Sequence, residues 1–360
     1  MKKQSKVFSE RQRRYVRWRI AKIQKKIAKA RRSERRRLRA RRPQARPRVV
    51  TLVAPENFNL TRGDGKRVVD FLQEIEHEVL TRGQSVRLDF RRSKLLYPPG
   101  VLLLYAELNR IISTATIHKP VKIVPPFSSR ATQVLKQVGL FDLSGDKVNT
   151  VTTRQDVIYW RLAKGLSQSG DELKMLEGIA DRVNSSDAEN VQKSGLWRGI
   201  SEAVNNAQEH GYTAAREDGF AGLESVRWWL LTQIRNQTFT AAVCDLGCGY
   251  AATLQPQILE WFGRLIRQIS TVENRDTQAI QAAMEYGRSS TRQSERGRGS
   301  RDALALLEKH GDGDLYMLSN SGYVRYSCRD NQVALKGVTS LDFNIRGTIV
   351  WWNLKLRSAA

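Results

Sequence analysis

The sequence predicts an α/β protein, more fully α/β (α+β), made of two globular segments behind a basic arm. Three observations carry that expectation. Residues 49–148 alternate between strand-like and helix-like hydrophobic periods. Residues 150–355 hold apolar strands that run into glycine-rich turns and helices. The length of 360 residues suits two domains plus an extension. With 40% hydrophobic and 8% aromatic residues the chain can bury real cores, which excludes wholesale disorder. The expected division is 1–48, 49–148 and 149–360.

Charge sets the arm apart. Residues 1–48 hold 22 Lys or Arg against only Glu10 and Glu34, a net of +20 out of +25 for the whole chain. From Ser9 to Arg42 there is no Gly or Pro, and good helix formers dominate. Tyr15, Val16, Ile20, Ile23, Ile27 and Leu38 make a thin apolar stripe on an otherwise cationic helix, ended by Pro43 and Pro47. Uncompensated charges repel, so the arm is expected to be helical or disordered by itself and to need a polyanion to become ordered. Nucleic acid or a ribonucleoprotein is the favoured partner because Arg exceeds Lys and guanidinium pairs bidentately with phosphate. An anionic membrane surface is the rival.

Other classes drop out. Three cysteines, Cys244, Cys248 and Cys328, leave an odd thiol and argue against a disulfide framework. Cys244 and Cys248 are too few for a zinc site. No apolar run reaches 18 residues, and the basic start has no apolar stretch behind it. No membrane span is expected, and the expected compartment is cytoplasmic.

The second segment reads in order as a βαβαβα unit with parallel neighbouring strands. Val49–Ala54 is a short apolar run. Lys66–Leu80 places Val68, Val69, Phe71, Leu72, Ile75 and Val79 at helical spacing. Ser85–Phe90 alternates as a strand does, and Pro98-Pro99-Gly100 opens a helix through Ile112. Val121–Val124 is a strand, and Ser128–Val138 is a helix stopped by Gly139. The order of elements and the closing Leu-x-x-Val-Gly-Leu-Phe run resemble a STAS domain, the fold of anti-sigma-factor antagonists. That resemblance implies a docking face for a regulatory protein. The family's phosphorylatable serine would stand just before the central helix, where this chain has Pro98 and Pro99.

The third segment carries the candidate chemistry. Leu196, Ile200, Ala203, Val204 and Ala207 form an apolar helical stripe. Glu202, Asn206 and His210 stand at i, i+4 and i+8 on another face. An amide oxygen and a carboxylate one turn apart suit Mg²⁺ and a water beside it. Phe239–Val243 is an apolar strand leading to Asp245-Leu-Gly247-Cys-Gly249, where two glycines allow close approach to the backbone. Gly297, Gly299 and Ser300 precede a helix over Arg301–Lys309, an arrangement that favours phosphate at a helix start. Ile345–Trp352 is a final strand.

The order of these four motifs resembles the GHKL (histidine kinase-like) ATPase superfamily. The helix ending Asn-Ala-x-x-His-Gly-Tyr is closest to the anti-sigma-factor serine kinases. The resemblance implies a two-layer sandwich of a mixed sheet with helices on one face, and ATP with Mg²⁺ as cofactors. Carried over to this chain, Asn206 would bind Mg²⁺ and Glu202 would activate water or a hydroxyl. Asp245 would take the adenine amino group with Thr348 assisting, and Gly247 and Gly249 would line the base. Gly297 and Gly299 would wrap the phosphates, with residues from about Thr271 to Ser300 as a lid. Ser300 departs from the family's usual apolar residue.

Several residues carry a plainer expectation. His210 caps a helix end, and Cys244 and Cys248 fill core space. Trp228, Trp229, Trp351 and Trp352 are sheet residues. Arg288, Arg292, Arg296, Arg298 and Arg301 either solvate a lid or meet phosphate. Three functions stay open: an ATP-driven switch acting on nucleic acid, a protein serine/threonine kinase, and an interaction protein with structural ATP. A homodimer is compatible with each.

Overall fold

The computed structural model describes residues 48–61, 63–166, 193–254, 274–289 and 298–356, without the side chains of 193–198, 286–289 and 298–302. The expectations for residues 1–47, including the helical arm, and for Gly297 lie outside the described residues.

The first globular segment forms around a parallel sheet of β1 (Val49–Val53), β3 (Ser85–Asp89) and β5 (Val121–Val124), in that spatial order. Two crossover helices join these strands. Helix α1 (Gly65–Glu76) buries Val68, Val69, Phe71, Leu72 and Ile75, then loosens into a π-helical turn at His77–Thr81. Helix α2 (Pro98–Thr114) starts on two prolines, whose missing N–H groups cost nothing in a first turn. A short parallel pair, β2 (Asn57–Phe58) with β4 (Leu95–Leu96), flanks the sheet. Helix α3 (Ser129–Gln137) follows, with the Ser128 side chain accepting from the Ala131 N–H, and then the short α4 (Leu140–Ser144).

Helix α2 is buried on all sides from Pro98 to Ile111, and its sequence VLLLYAEL is apolar around most of its circumference. Such a helix needs cover on two faces. It receives that cover from α1 and α4 of its own segment and from β7 (Trp228–Arg235) and β8 (Thr238–Asp245) of the larger sheet, and one apolar core runs through both segments. Trp229 Nε1 donates to Asn109 Oδ1 of α2 at 3.2 Å across this contact. Apart from Thr116–His118, the described residues from Val49 onward cluster as one unit.

Among the described residues the larger sheet has seven strands in the order β11-β10-β9-β12-β8-β7-β6. These are β6 (Arg161–Gly165), β7 (Trp228–Arg235), β8 (Thr238–Asp245), β9 (Gly313–Ser319), β10 (Gly322–Arg329), β11 (Gln332–Ser340) and β12 (Thr348–Lys355). Every neighbouring pair is antiparallel, so the mixed sheet implied by the resemblance is not what forms. For three of the six pairs, β7-β8, β9-β10 and β10-β11, the physical reason lies in the connections. Asn236-Gln237, Asn320-Ser321 and Asp330-Asn331 are tight hairpin turns, with positive φ at Asn236, Gln237, Asn320, Asp330 and Asn331. Short turns of that kind join antiparallel strands only.

Among the described residues three helices cover one face of this sheet, α5 (Lys193–Glu209), α7 (Arg275–Ser289) and α8 (Arg298–His310), while α6 (Tyr250–Thr253) is a single turn. Their Ile200, Val204, Ile280, Met284, Leu304 and Leu307 meet Trp228, Phe239, Met317 and Trp352 of the strands. Alternation along the strands sends Trp229 and Trp351 to the opposite face, toward α2. All four tryptophans are buried sheet residues.

Two local expectations are corrected. The stretch expected as a lid contains α7, whose Ala279, Ile280, Ala282, Ala283 and Met284 are buried in the packed layer, while 271–273 and 290–297 of that stretch lie outside the described residues. The final strand begins at Thr348 rather than Ile345, because Arg346 and Gly347 take positive φ. Among the described residues no helix is long and apolar enough to cross a membrane.

Candidate functional site

Helix α5 carries Glu202 and Asn206 one turn apart, both half-buried. Its end is built by the backbone: the N–H groups of His210 and Gly211 both donate to the Asn206 carbonyl, at 2.9 and 3.2 Å. His210 is exposed beyond that end. The Gly211 carbonyl then accepts from the Cys248 N–H at 2.7 Å. Tyr212 adds a second strap, its hydroxyl donating to the Arg227 carbonyl at 2.8 Å and accepting from the Leu246 N–H at 3.0 Å. The end of α5 and the turn after β8 are therefore held together at both Leu246 and Cys248.

Asp245 ends β8 and pairs with Thr348 of β12. Its Oδ1 accepts from the Gly247 N–H at 2.9 Å. Burial pushes this carboxyl up from 3.8 to about 7, against the Gly247 N–H, the Arg216 charge and the Thr348 hydroxyl, which all favour the ionised form. The Thr348 N–H also favours the ionised form, so burial and not a lack of donors raises this group. The Cys244 thiol beside it is also raised, by burial and by the same carboxyl.

The glycines of the turn have identified neighbours. A Cβ on Gly247 would lie 1.9 Å from the Gly211 carbonyl oxygen. Gly249 has φ +78°, and a Cβ there would lie 2.5 Å from Asn320 Nδ2. The close approach at both positions is made by this chain's own groups. Asn320 Nδ2 donates to the Cys248 carbonyl at 3.3 Å, and Ser319 Oγ accepts from the Tyr250 N–H at 2.9 Å. Ser319 Oγ also lies 3.4 Å from Thr348 Oγ1, which brings β9 and β12 to the same end of the sheet.

The structure therefore gathers Asp245, Gly247, Gly249 and Thr348, with Asn206 and Glu202 on the adjoining helix. Helix α8 begins at Arg298, not Arg301, so Gly299 and Ser300 lie in its first turn rather than before it. That helix packs alongside α5 and is tied to β12 by Trp352 Nε1, which donates to the Ala303 carbonyl at 3.0 Å. Sequence reasoning missed Gly211, Tyr212, Ser319 and Asn320 as builders of this corner. The His210-Gly211-Tyr212 run was a signal for the first two, and the turn-forming Asn320-Ser321-Gly322 for the others. Arg216 had no local signal.

Among the described residues no group of three or more His, Cys, Asp or Glu stands where it could hold a metal ion. Comparison with family models, curated proteins and solved structures finds no match to this chain.

Proposed function

We propose that this chain is a Mg-ATP-dependent switch of the GHKL ATPase type, with a STAS-like docking domain and a basic arm that contacts nucleic acid. The observation that carries this reading is the convergence of Asp245, Thr348 and the end of α5 on one corner, through the Gly211, Tyr212 and Gly247 hydrogen bonds. The buried Asp245 carboxyl, oriented by the Gly247 N–H and by Thr348, would accept from an exocyclic amino group. Asn206 would offer one amide oxygen to Mg²⁺, whose remaining ligands are waters and phosphate oxygens in sites of this kind. Bound Mg-ATP would supply a transferable phosphoryl group.

The chain's own residues would divide the remaining work. Glu202, one turn before Asn206, would hold and orient the attacking water or hydroxyl and take its proton. Gly299 and Ser300, in the first turn of α8, would present backbone N–H groups to phosphate, as Gly297 would in the same run. Thr348 would fix the Asp245 carboxyl in place.

The kinase reading is favoured by one specific feature, the Asn-Ala-x-x-His-Gly-Tyr run whose Gly211 and Tyr212 strap the Asp245 turn. Its substrate would be a separate protein, because buried Pro98 and Pro99 occupy the start of α2 in the STAS-like segment. Incubating the purified protein with γ-labelled ATP separates the readings. Free labelled phosphate supports the switch, and label on an added protein fraction supports the kinase. Absence of nucleotide binding overturns both.

A further inference from the structure

The three-stranded sheet buries one face only. Leu52, Val86, Leu88, Phe90, Val121 and Ile123 point into the core. The other face shows Val49, Thr51, Val53, Arg87 and Lys122 to solvent, with Val49 54% and Val53 63% exposed. Parallel sheets are ordinarily covered on both faces. An uncovered one calls for an occupant, and its charge says which.

Thr51, Arg87 and Lys122 are register partners in one row across the sheet. Like charges directly opposite each other are unfavourable. Among the described residues neither cation of this row makes an ion pair. The nearby acids are already committed. Asp89 takes the Arg91 guanidinium through both oxygens, Asp146 accepts from the Ile123 N–H at 2.7 Å, and Glu56 faces Lys94 at 3.7 Å. At the carboxyl ends of the strands Phe127 is 80% exposed, and its N–H donates to the Arg91 carbonyl at 3.1 Å. An exposed aromatic residue therefore stands at this rim, its backbone bonded to that of Arg91.

We propose that this uncovered face and its rim are a docking surface for single-stranded nucleic acid, Arg87 and Lys122 meeting phosphates and Phe127 stacking on a base. A cationic track with an exposed aromatic platform is the arrangement that binds single strands. The chain's own arm is a poor occupant, since it brings further positive charge to a positive face. A membrane-binding surface sets cations around an apolar centre, whereas here the exposed Val49 and Val53 lie on the edge strand β1 and the cations take the centre and the far edge of the sheet. The proposal needs neither the arm nor the nucleotide site.

The test uses the full chain with a short unstructured oligonucleotide, unmodified for affinity and carrying 4-thiouridine for cross-linking. Arg87→Glu with Lys122→Glu should weaken binding at least about tenfold. It should also make the salt slope shallower by about 1.4, the share of two single-strand phosphates. Phe127→Ala should cost roughly 5- to 150-fold with an unchanged slope, because stacking is not ionic. All three residues are exposed, and circular dichroism checks that the fold persists. Cross-links should map to residues 87–92 or 122–130. Cross-links confined to residues 1–48, with unchanged affinity in these variants, would overturn the proposal and leave the arm reading intact. Loss of anionic-vesicle flotation in the variants, with oligonucleotide affinity unchanged, would overturn it in favour of a membrane surface.

Discussion

Arg216 Nη1 donates to Glu107 Oε1 at 2.9 Å, joining residues 109 positions apart, with both side chains less than a tenth exposed. This pair anchors a balanced cluster. Arg110 bonds Glu107 at 2.6 Å and Glu76 at 3.0 Å, Arg346 bonds Glu76 at 2.8 Å, and Arg216 also bonds Asp218. Arg216 further donates to the Arg346 carbonyl at 2.8 Å, two residues before Thr348. A helix of the first globular segment is thereby linked to the strand that carries the partner of Asp245.

Breaking one member of such a pair leaves the other charge buried and uncompensated, which costs about 3–5 kcal/mol. Glu107→Gln should therefore lower stability strongly in urea unfolding. Glu107→Leu with Arg216→Met should recover much of that loss, since it leaves neither charge of the pair behind. A double variant as unstable as the single one would show that hydrogen bonds to Arg346 and Asp218 dominate instead.

Asp245 should tie stability to pH. Its carboxyl titrates at about 7 in the fold against an ordinary value of 3.8. Between those values the folded chain holds this proton more tightly than the unfolded chain does. The stability it contributes is full below 3.8 and is lost as pH rises to about 7. Asp245→Asn removes that dependence. Relative to wild type, the variant should gain about 2–3 kcal/mol of stability between pH 5 and pH 8. Denaturation at both pH values checks it, and an equal difference at each would remove the raised carboxyl from the account.

Nucleotide binding should separate Asn206 from Glu202. Asn206→Ala should weaken ATP binding in Mg²⁺ and change little in EDTA, as calorimetry can show. Glu202→Gln should keep ATP bound while turnover falls about 10²–10⁴-fold, the usual loss on removing a general base. Wild-type Mg-ATP affinity in both Asn206→Ala and Asp245→Ala would falsify the pocket.

The arm should dominate binding to duplex nucleic acid. If about eight phosphates are neutralised, log affinity should fall with log salt at a slope of about −7, so a fourfold rise in salt costs roughly ten-thousandfold. Removing residues 1–48 should abolish this steep component and leave ATP binding unchanged. Filter binding across a salt series measures the slope, and a slope that survives truncation would place the duplex contacts elsewhere.

The sequence alone determined the elements whose information is local. The alternation of Val86, Leu88 and Phe90 marked β3, the stripe from Val68 to Ile75 marked α1, and Pro98-Pro99 marked the start of α2. It also singled out Asp245 and Asn206, because glycines beside a strand end and an amide one turn from a carboxylate are short-range patterns. Only the tertiary structure decided what covers α2, whose all-round apolar surface announces burial without naming its neighbours. It alone turned the region around residues 275–289 from an expected lid into a packed helix, and it alone made the large sheet wholly antiparallel. The union of Glu107 with Arg216, and the closure of Gly211 on Gly247, were likewise decided there. Periodicity reports which side of an element is apolar, whereas partners across 36 or 109 residues are chosen by how whole surfaces fit once the chain is folded.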